Sequence, residues 1–233
     1  MPSGVPIQTD RRIRPRNDPG QYDDLVHEWW RPDGVFAMLH WLARARGRLV
    51  PPATRDGAVL VDLGCGAGLL APHVAGKGYR HIGIDLVLSA VRQAAGHGVA
   101  GAVGDVTQLP LPDACADVVC AGELLEHVPD LPAVVAQACR VLRPGGVLVL
   151  DTLAERMYGG AVRGIHDPAL FVDPRTLIRL CASHGVALRV RGIRPALSDA
   201  ARWLATRRGD VRIVPTWSTA VLYQGSGVKE VAA

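Results

Sequence analysis

The stretch GELLEHVPD, residues 122 to 130, places two carboxylates and an imidazole within five positions: Glu123, Glu126 and His127. If the chain turns helical there, they stand at i, i+3 and i+4 and share one face. Such a set suits a hard divalent cation such as Mg2+, acting as a Lewis acid on a substrate oxygen. It equally suits a general base that takes a proton directly, or a histidine that packs and hydrogen-bonds at a strand end. The residue types alone leave these three open.

Three further features carry chemistry. In VLVDLGCGAGLL an apolar strand reaches Asp62 and passes into Gly64, Gly66 and Gly68, where a ligand can approach the backbone with no Cβ in the way. The helix expected after this turn offers its free N–H groups to the ligand, although a lone glycine-rich turn serves a nicotinamide equally well. Asp85 closes the next apolar run, HIGID, 21 residues after Gly64. An acid at that tip accepts hydrogen bonds from both ribose hydroxyls of an adenosine, with Leu86 beside it. Asp105, followed by Val106, ends a third run and is placed to accept from an adenine amino group. Together these features predict an adenosine-containing cofactor.

The elements that must position these groups follow from the hydrophobic pattern. AVLVDLG, HIGIDL, VAGAVGD, ADVVCAG and GVLVLDT are short apolar runs separated by helical stretches, which implies βαβ units and a parallel sheet covered on both faces. GVALRVRGI and TWSTAVLYQ close the chain, with the helix SDAARWLATRR between them. The expected fold is therefore α/β and Rossmann-like, a doubly wound sheet of seven strands, mostly parallel with an antiparallel last strand. A further helix is expected with Asp173 as N-cap, Pro174 at N1 and Gly185 at its C-terminal end. Before the sheet, YDDLVHEWW and VFAMLHWLARARGRL have helical spacing and predict two helices, ended by Pro51 and Pro52. The division expected is a flexible arm at 1–20, a helical cap at 21–52, the main domain at 53–226 and a tail at 227–233.

With 233 residues and 48% hydrophobic content, the chain has material for one sizeable core. The arm lacks the apolar core of a signal peptide, and no run approaches the roughly 18 to 20 apolar residues that cross a bilayer, so a cytoplasmic protein is expected, touching a membrane at most peripherally. Cys65, Cys115, Cys120, Cys139 and Cys181 form no CxxC pair and read as reduced thiols. The net charge of +4, with Arg11, Arg12, Arg14 and Arg16 in the arm, raises a nucleic-acid partner. Only Lys77 and Lys229 are lysines, so the arginines read as a compositional bias spread over a solvated surface. Composition does not distinguish a monomer from a homodimer.

The glycine turn, Asp85, the GD pair at Gly104 and Asp105, the acidic cluster and the PGG turn at Pro144, Gly145 and Gly146 together resemble the class I S-adenosylmethionine-dependent methyltransferases. EWWRPDGVFAMLHWLARARGRL, GELLEHVPDL and RGIHDPALFVDP are more narrowly similar to the O-methyltransferases of ubiquinone biosynthesis, which methylate polyprenylated catechols and phenols. The resemblance implies that Arg46 meets the carboxylate of S-adenosylmethionine, that Gly122 lies near the cofactor, and that Glu123, Glu126 and His127 bind a metal. His166, in the GIHD block, would orient the acceptor, take its proton or stand as a satisfied loop histidine, and His40 either orients the acceptor or is satisfied by its surroundings. Trp29 and Trp30 either cover the cofactor or anchor their helix. The connection between DTLAERMYGG and GIHD is shorter than that family leads one to expect, which puts a polyprenyl tail in doubt and, of a ubiquinone-type intermediate and a secondary-metabolite phenol, favours the latter.

A phenolic acceptor sets its own demand. With a pKa near 10 it is roughly 0.1% ionised at pH 7, and reaching the phenolate costs about 4 kcal/mol. In-line positioning is worth on the order of 7 to 11 kcal/mol, and a metal or a base must help with the proton. The expected activity is methyl transfer to a phenol or catechol. The rivals are a nucleic-acid methyltransferase and a cofactor-binding protein without catalysis.

Overall fold

The computed structural model describes residues 17–23, 25–153, 167–219 and 221–231. The chain opens with a short helix α1 (Gly20–Asp23), a 3-10 turn (Val26–Glu28) and helix α2 (Ala37–Gly47). It then alternates β1 (Val59–Leu63), α3 (Ala71–Val74), β2 (Arg80–Asp85), α4 (Leu88–Gly96), β3 (Ala100–Val103), β4 (Ala116–Gly122), α5 (Leu131–Val141) and β5 (Leu142–Leu153). After the 3-10 turn Pro168–Leu170 come α6 (Pro174–Ser183), β6 (Val186–Pro195), α7 (Leu197–Thr206), β7 (Ile213–Thr216) and β8 (Leu222–Lys229).

The eight strands form one sheet in the order β3-β2-β1-β4-β5-β8-β6-β7. Neighbours from β3 to β5 pair in parallel, while β8 runs antiparallel to both β5 and β6. The sequence predicts seven strands, because TWSTAVLYQ reads as a single run. The structure adds β7 just ahead of that run, sharing only Thr216 with it and pairing antiparallel with β6 as an edge, and forms the longer β8 from the end of the run onward. Pro215 lies within β7, at the edge of the sheet, where a residue without an N–H is tolerated.

The central strands are buried on both faces, as their unbroken apolar runs require: ADVVCA in β4 is buried along its whole length. α5 presents Val134, Val135, Ala138 and Cys139 to the largest core cluster, which also takes in Val61, Leu63, Val119, Leu148 and Leu150. Asp130 caps α5 by accepting from the Ala133 N–H at 2.9 Å. Asp173 does the same for α6 through the Thr176 N–H at 2.8 Å, and Gly185 follows that helix in the left-handed conformation, φ +72°.

The cap differs from two plain helices. Its first stretch is one turn of α1 followed by the 3-10 turn, and only the second is a regular helix of three turns. Residues 1–16, with the four arginines of the arm, lie outside the described residues. The end of the expected arm is docked, since Asn17 hydrogen-bonds both the Glu126 carbonyl and His127. The five cysteines are free thiols, four of them buried. Among the described residues no helix is long and apolar enough to cross a membrane.

Candidate active site

Strand order reverses between β1 and β4, since β1 leads outward to β2 and β3 on one side and β4 to β5 on the other. Ligands of open parallel sheets bind beyond the carboxyl ends of the strands at such a switch point. The glycine turn leaves β1 there. Gly64 and Gly66 have φ of +63° and +50°, a backbone that glycine adopts without steric cost. Gly68 is also left-handed, but a Cβ there would meet Ala94 and Val99 at 3.0 to 3.2 Å, so it packs against α4 and its strand. The helix expected to follow is only the four residues of α3.

Asp85 stands at the tip of β2. Its carboxylate accepts from the Gly66 N–H at 2.8 Å and the Val87 N–H at 2.9 Å. Burial raises its pKa, and these backbone donors partly offset that. Each oxygen keeps a second lone pair for a ligand hydroxyl. Leu86, beside it, is exposed. Asp105, just past β3, is also exposed, and its Oδ1 accepts from the backbone N–H and hydroxyl of Thr107, which hold its pKa low. The side chain of Val106 is in the core. These residues form an open rim around the tips of β2 and β3.

On the other side of β1, the cleft is charged and closed. Arg46, from α2, is buried and forms an ion pair with Asp151 of β5. Its guanidinium lies over Gly122, where a Cβ would overlap it. Gly122 and Asp151 are register partners across β4 and β5, so one glycine gap admits the arginine to its carboxylate. Asp62, buried in β1 near His81, adds a second negative charge around Arg46. Among the described residues, the Arg46 Nε and the Glu123 Oε1 are buried with no hydrogen-bond partner. A glycine-lined turn that ends at an incompletely paired guanidinium fits an amino acid-bearing nucleoside.

Glu123, Glu126 and His127 do not gather around one point. Glu123 sits in the left-handed region at φ +51°, a strain of about 1–3 kcal/mol for a residue with a Cβ. The chain then makes a 3-10 turn, Leu125–His127, in place of the α-helix that would have aligned the three side chains. Glu126 is turned inward, fully buried, with its Oε2 accepting from the Thr152 hydroxyl at 2.7 Å. Burial pushes its carboxyl up to about 7, and burial likewise raises Glu123 well above the usual range. His127 faces outward, with Nδ1 at 3.0 Å from the Asn17 Oδ1 and Nε2 at 3.2 Å from the Tyr22 hydroxyl. Among the described residues no group of three or more His, Cys, Asp or Glu side chains is arranged to hold a metal ion. The Mg2+ site expected from E-x-x-E-H is corrected accordingly: these residues do not fit the near-octahedral oxygen shell Mg2+ demands. His166 lies outside the described residues.

Several residues of the site were not singled out from the sequence. Asp151 looks like the polar end of an apolar run, and its role appears only through its register with Gly122. Tyr22 and Asn17 lie more than 100 positions from His127, so nothing local signals their meeting. Both tryptophans seat the cap. The Trp30 N–H donates to the Ala67 carbonyl at 3.0 Å and its ring stacks on His97, while Trp29 packs over Gly66. His40 is accounted for by a 2.8 Å hydrogen bond to the Trp29 carbonyl.

The fold and the switch-point cleft define a nucleoside-binding α/β enzyme of methyltransferase type, and residues 61–150 match the methyltransferase domain family. The chain is 35% identical over 187 residues to a ubiquinone biosynthesis O-methyltransferase of Thiobacillus denitrificans, covering 71% of this chain and 81% of the relative. A ubiquinone biosynthesis O-methyltransferase of Cupriavidus pinatubonensis is 34% identical over 215 residues, covering 81% and 86%. The chain belongs to this family of S-adenosylmethionine-dependent methyltransferases. Among solved structures, a S-adenosylmethionine-dependent methyltransferase of Thermotoga maritima, described as a possible histamine N-methyltransferase, superposes with a TM-score of 0.68 at 16% identity. That superposition covers 90% of this chain and 97% of the other, and the likeness is one of fold.

Proposed function

We propose that this methyltransferase transfers its methyl group to a hydroxyl of a phenol or catechol of the quinone-precursor type, in a domain spanning residues 53–226 under the cap of residues 21–52. The relatives named as ubiquinone biosynthesis O-methyltransferases support this acceptor class. When bound, S-adenosylmethionine supplies a methyl carbon activated on a sulfonium. Gly64 and Gly66 form the turn it approaches, Asp85 accepts from its ribose hydroxyls, Leu86, Asp105 and Val106 frame its base, and Arg46 with Gly122 receives its carboxylate.

The observation that carries the acceptor chemistry is the hydrogen-bond chain Asn17–His127–Tyr22. The Asn17 Oδ1 accepts from Nδ1–H of His127, which leaves Nε2 as the acceptor pole of the ring. In the structure, Nε2 takes the hydrogen bond of a phenol, that of Tyr22. A phenolic acceptor offering its hydroxyl to the same nitrogen is deprotonated there, imidazole being the side chain most often used as a general base. Glu126, deeper and bonded to Thr152, supports the turn that carries His127. This route gives the acceptor's proton to His127 and assigns no step to a metal.

The test is transfer of a labelled methyl group from S-adenosylmethionine to a panel of phenols and catechols, run with Mg2+ and then with EDTA. The expected result is a methyl ether formed at similar rates in both. Absence of transfer to every phenol overturns the acceptor class, and activity lost to EDTA and restored by Mg2+ overturns the assignment of the proton to His127.

A further inference from the structure

A line of aromatic side chains crosses the cleft from the tip of β1 to the tip of β4. The Trp29 ring lies over the glycine turn, its Cη2 2.9 Å from where a Cβ on Gly66 would stand. It stacks on Phe36 at 4.5 Å between centroids and meets Tyr22 at 5.8 Å. Tyr22 in turn reaches His127 through its hydroxyl. Tyr22 therefore bridges the ring over the glycine turn and the imidazole just past β4, against the surface that a nucleoside donor must use.

One group in this line is unsatisfied. Trp29 is only 8% exposed, yet among the described residues its Nε1–H has no acceptor. A buried donor left unpaired costs about 1–3 kcal/mol, and its neighbour Trp30 shows the ordinary solution, a carbonyl at 3.0 Å. The cap is otherwise well tied. The Gln93 side chain donates to the Val26 carbonyl at 2.7 Å, and the Ser89 hydroxyl donates to Asp23. Trp29 is thus held against the glycine turn with a free N–H and an electron-rich face.

We propose that Trp29 and Tyr22 are donor-binding residues carried on a lid, the described cap residues between Asn17 and Phe36, which swings outward to admit a sulfonium nucleoside and closes on it. The Trp29 N–H then finds an acceptor oxygen on the ligand, and the two aromatic faces lie against its positive charge. The Tyr22–His127 hydrogen bond is the clasp of the lid. Entry of a phenolic acceptor at Nε2 releases Tyr22, so the lid ties donor and acceptor sites together. The inference rests on the donor site proposed above.

The test compares S-adenosylmethionine, which carries the charge, with S-adenosylhomocysteine, which lacks it, by calorimetric titration of the full chain. In Trp29→Leu the affinity for the sulfonium should fall about tenfold more than that for the thioether, on the scale of a desolvated cation–aromatic contact. Trp29→Phe keeps a ring in place and serves should the leucine variant not fold. It should weaken both ligands through loss of the N–H and shift the ratio in the same direction by less. Equal losses for the two ligands, or affinities within twofold of the parent in both variants, overturn the proposal. If the parent chain itself binds neither ligand, the donor-site reading falls, and the lid with it.

Discussion

Arg46 and Asp151, 105 residues apart in the chain, meet in a buried ion pair over Gly122. The pair joins the cap to the fifth strand and places a guanidinium where β4 and β5 end. Its local signal in the sequence is slight: an arginine in a helix, a glycine at the end of one strand and an acid at the end of the next.

Removing Arg46 leaves Asp151 buried beside Asp62 and Glu123 without a counter-charge. Arg46→Ala should cost about 3–5 kcal/mol in denaturant unfolding, the range for a broken buried pair. Gly122→Ala reaches the same result from the opposite side, since its methyl must displace the guanidinium. Both variants should bind S-adenosylhomocysteine more weakly than the parent. Normal affinity in a folded Gly122→Ala protein would separate the arginine from the cofactor.

Asp85 has two tasks that one substitution separates. Asp85→Ala removes the acceptor of the Gly66 and Val87 N–H groups and should cost about 1–3 kcal/mol of stability. It also removes the proposed partner of the ribose hydroxyls, so cofactor binding should be lost while the fold persists. Calorimetric titration alongside thermal melting reads both, and unchanged affinity would displace the ribose from the tip of β2.

Glu126 makes stability fall with rising pH. Its carboxyl, pushed up to about 7 by burial from an ordinary 4.5, holds its proton more tightly in the folded protein than in the unfolded chain. Its contribution is fully present below about pH 4.5 and is lost as pH rises through about 7. Glu126→Gln carries no such proton, so its stability relative to the parent should improve steadily between those limits. Melting temperatures of both proteins across that window test this, and a constant difference would show that Glu126 is ionised throughout.

Asp117 acts with the opposite sign at the far end of β4. Burial alone would raise its pKa, but hydrogen bonds from Arg55, the Val59 N–H and Arg143 outweigh that and hold it below the ordinary 3.8. Its contribution is present above that ordinary value and is lost as pH falls through the lower folded one. Asp117→Asn should destabilise the protein at pH 7 by about 1–3 kcal/mol and narrow its gap to the parent in acid. Urea titrations at pH 7 and pH 3 measure both effects.

The apolar runs announce the sheet well because parallel strands buried on both faces need unbroken hydrophobic sequence, as ADVVCA shows. The edge strand β7 leaves little signature in the sequence because IVPT is short, half-exposed and interrupted by Pro215. Within the site, the glycines and Asp85 leave a local signature, a turn and a strand tip, whereas Arg46 in its helix leaves none and enters only through the resemblance. The geometry of Glu123, Glu126 and His127 is not legible, because it depends on one left-handed residue. The i, i+3, i+4 spacing predicts a shared face only in a helix, and Glu123 at φ +51° followed by a 3-10 turn sends Glu126 inward and His127 outward. Tyr22 and Asn17 find His127 only through tertiary packing.

The placement of β8 bears on how the protein is made. This strand is threaded between β5 and β6, although it follows both in the chain, and β7 joins the sheet only through β6. During synthesis, strands β1 to β5 can assemble in turn from the amino-terminal side, while β6 and β7 have no edge to join until β8 has emerged and slotted in. Until then the outer edge of β5 presents unpaired backbone groups, a template for wrong partners. The last strand is thus a keystone, and the nascent chain is most prone to aggregation in the interval before it arrives.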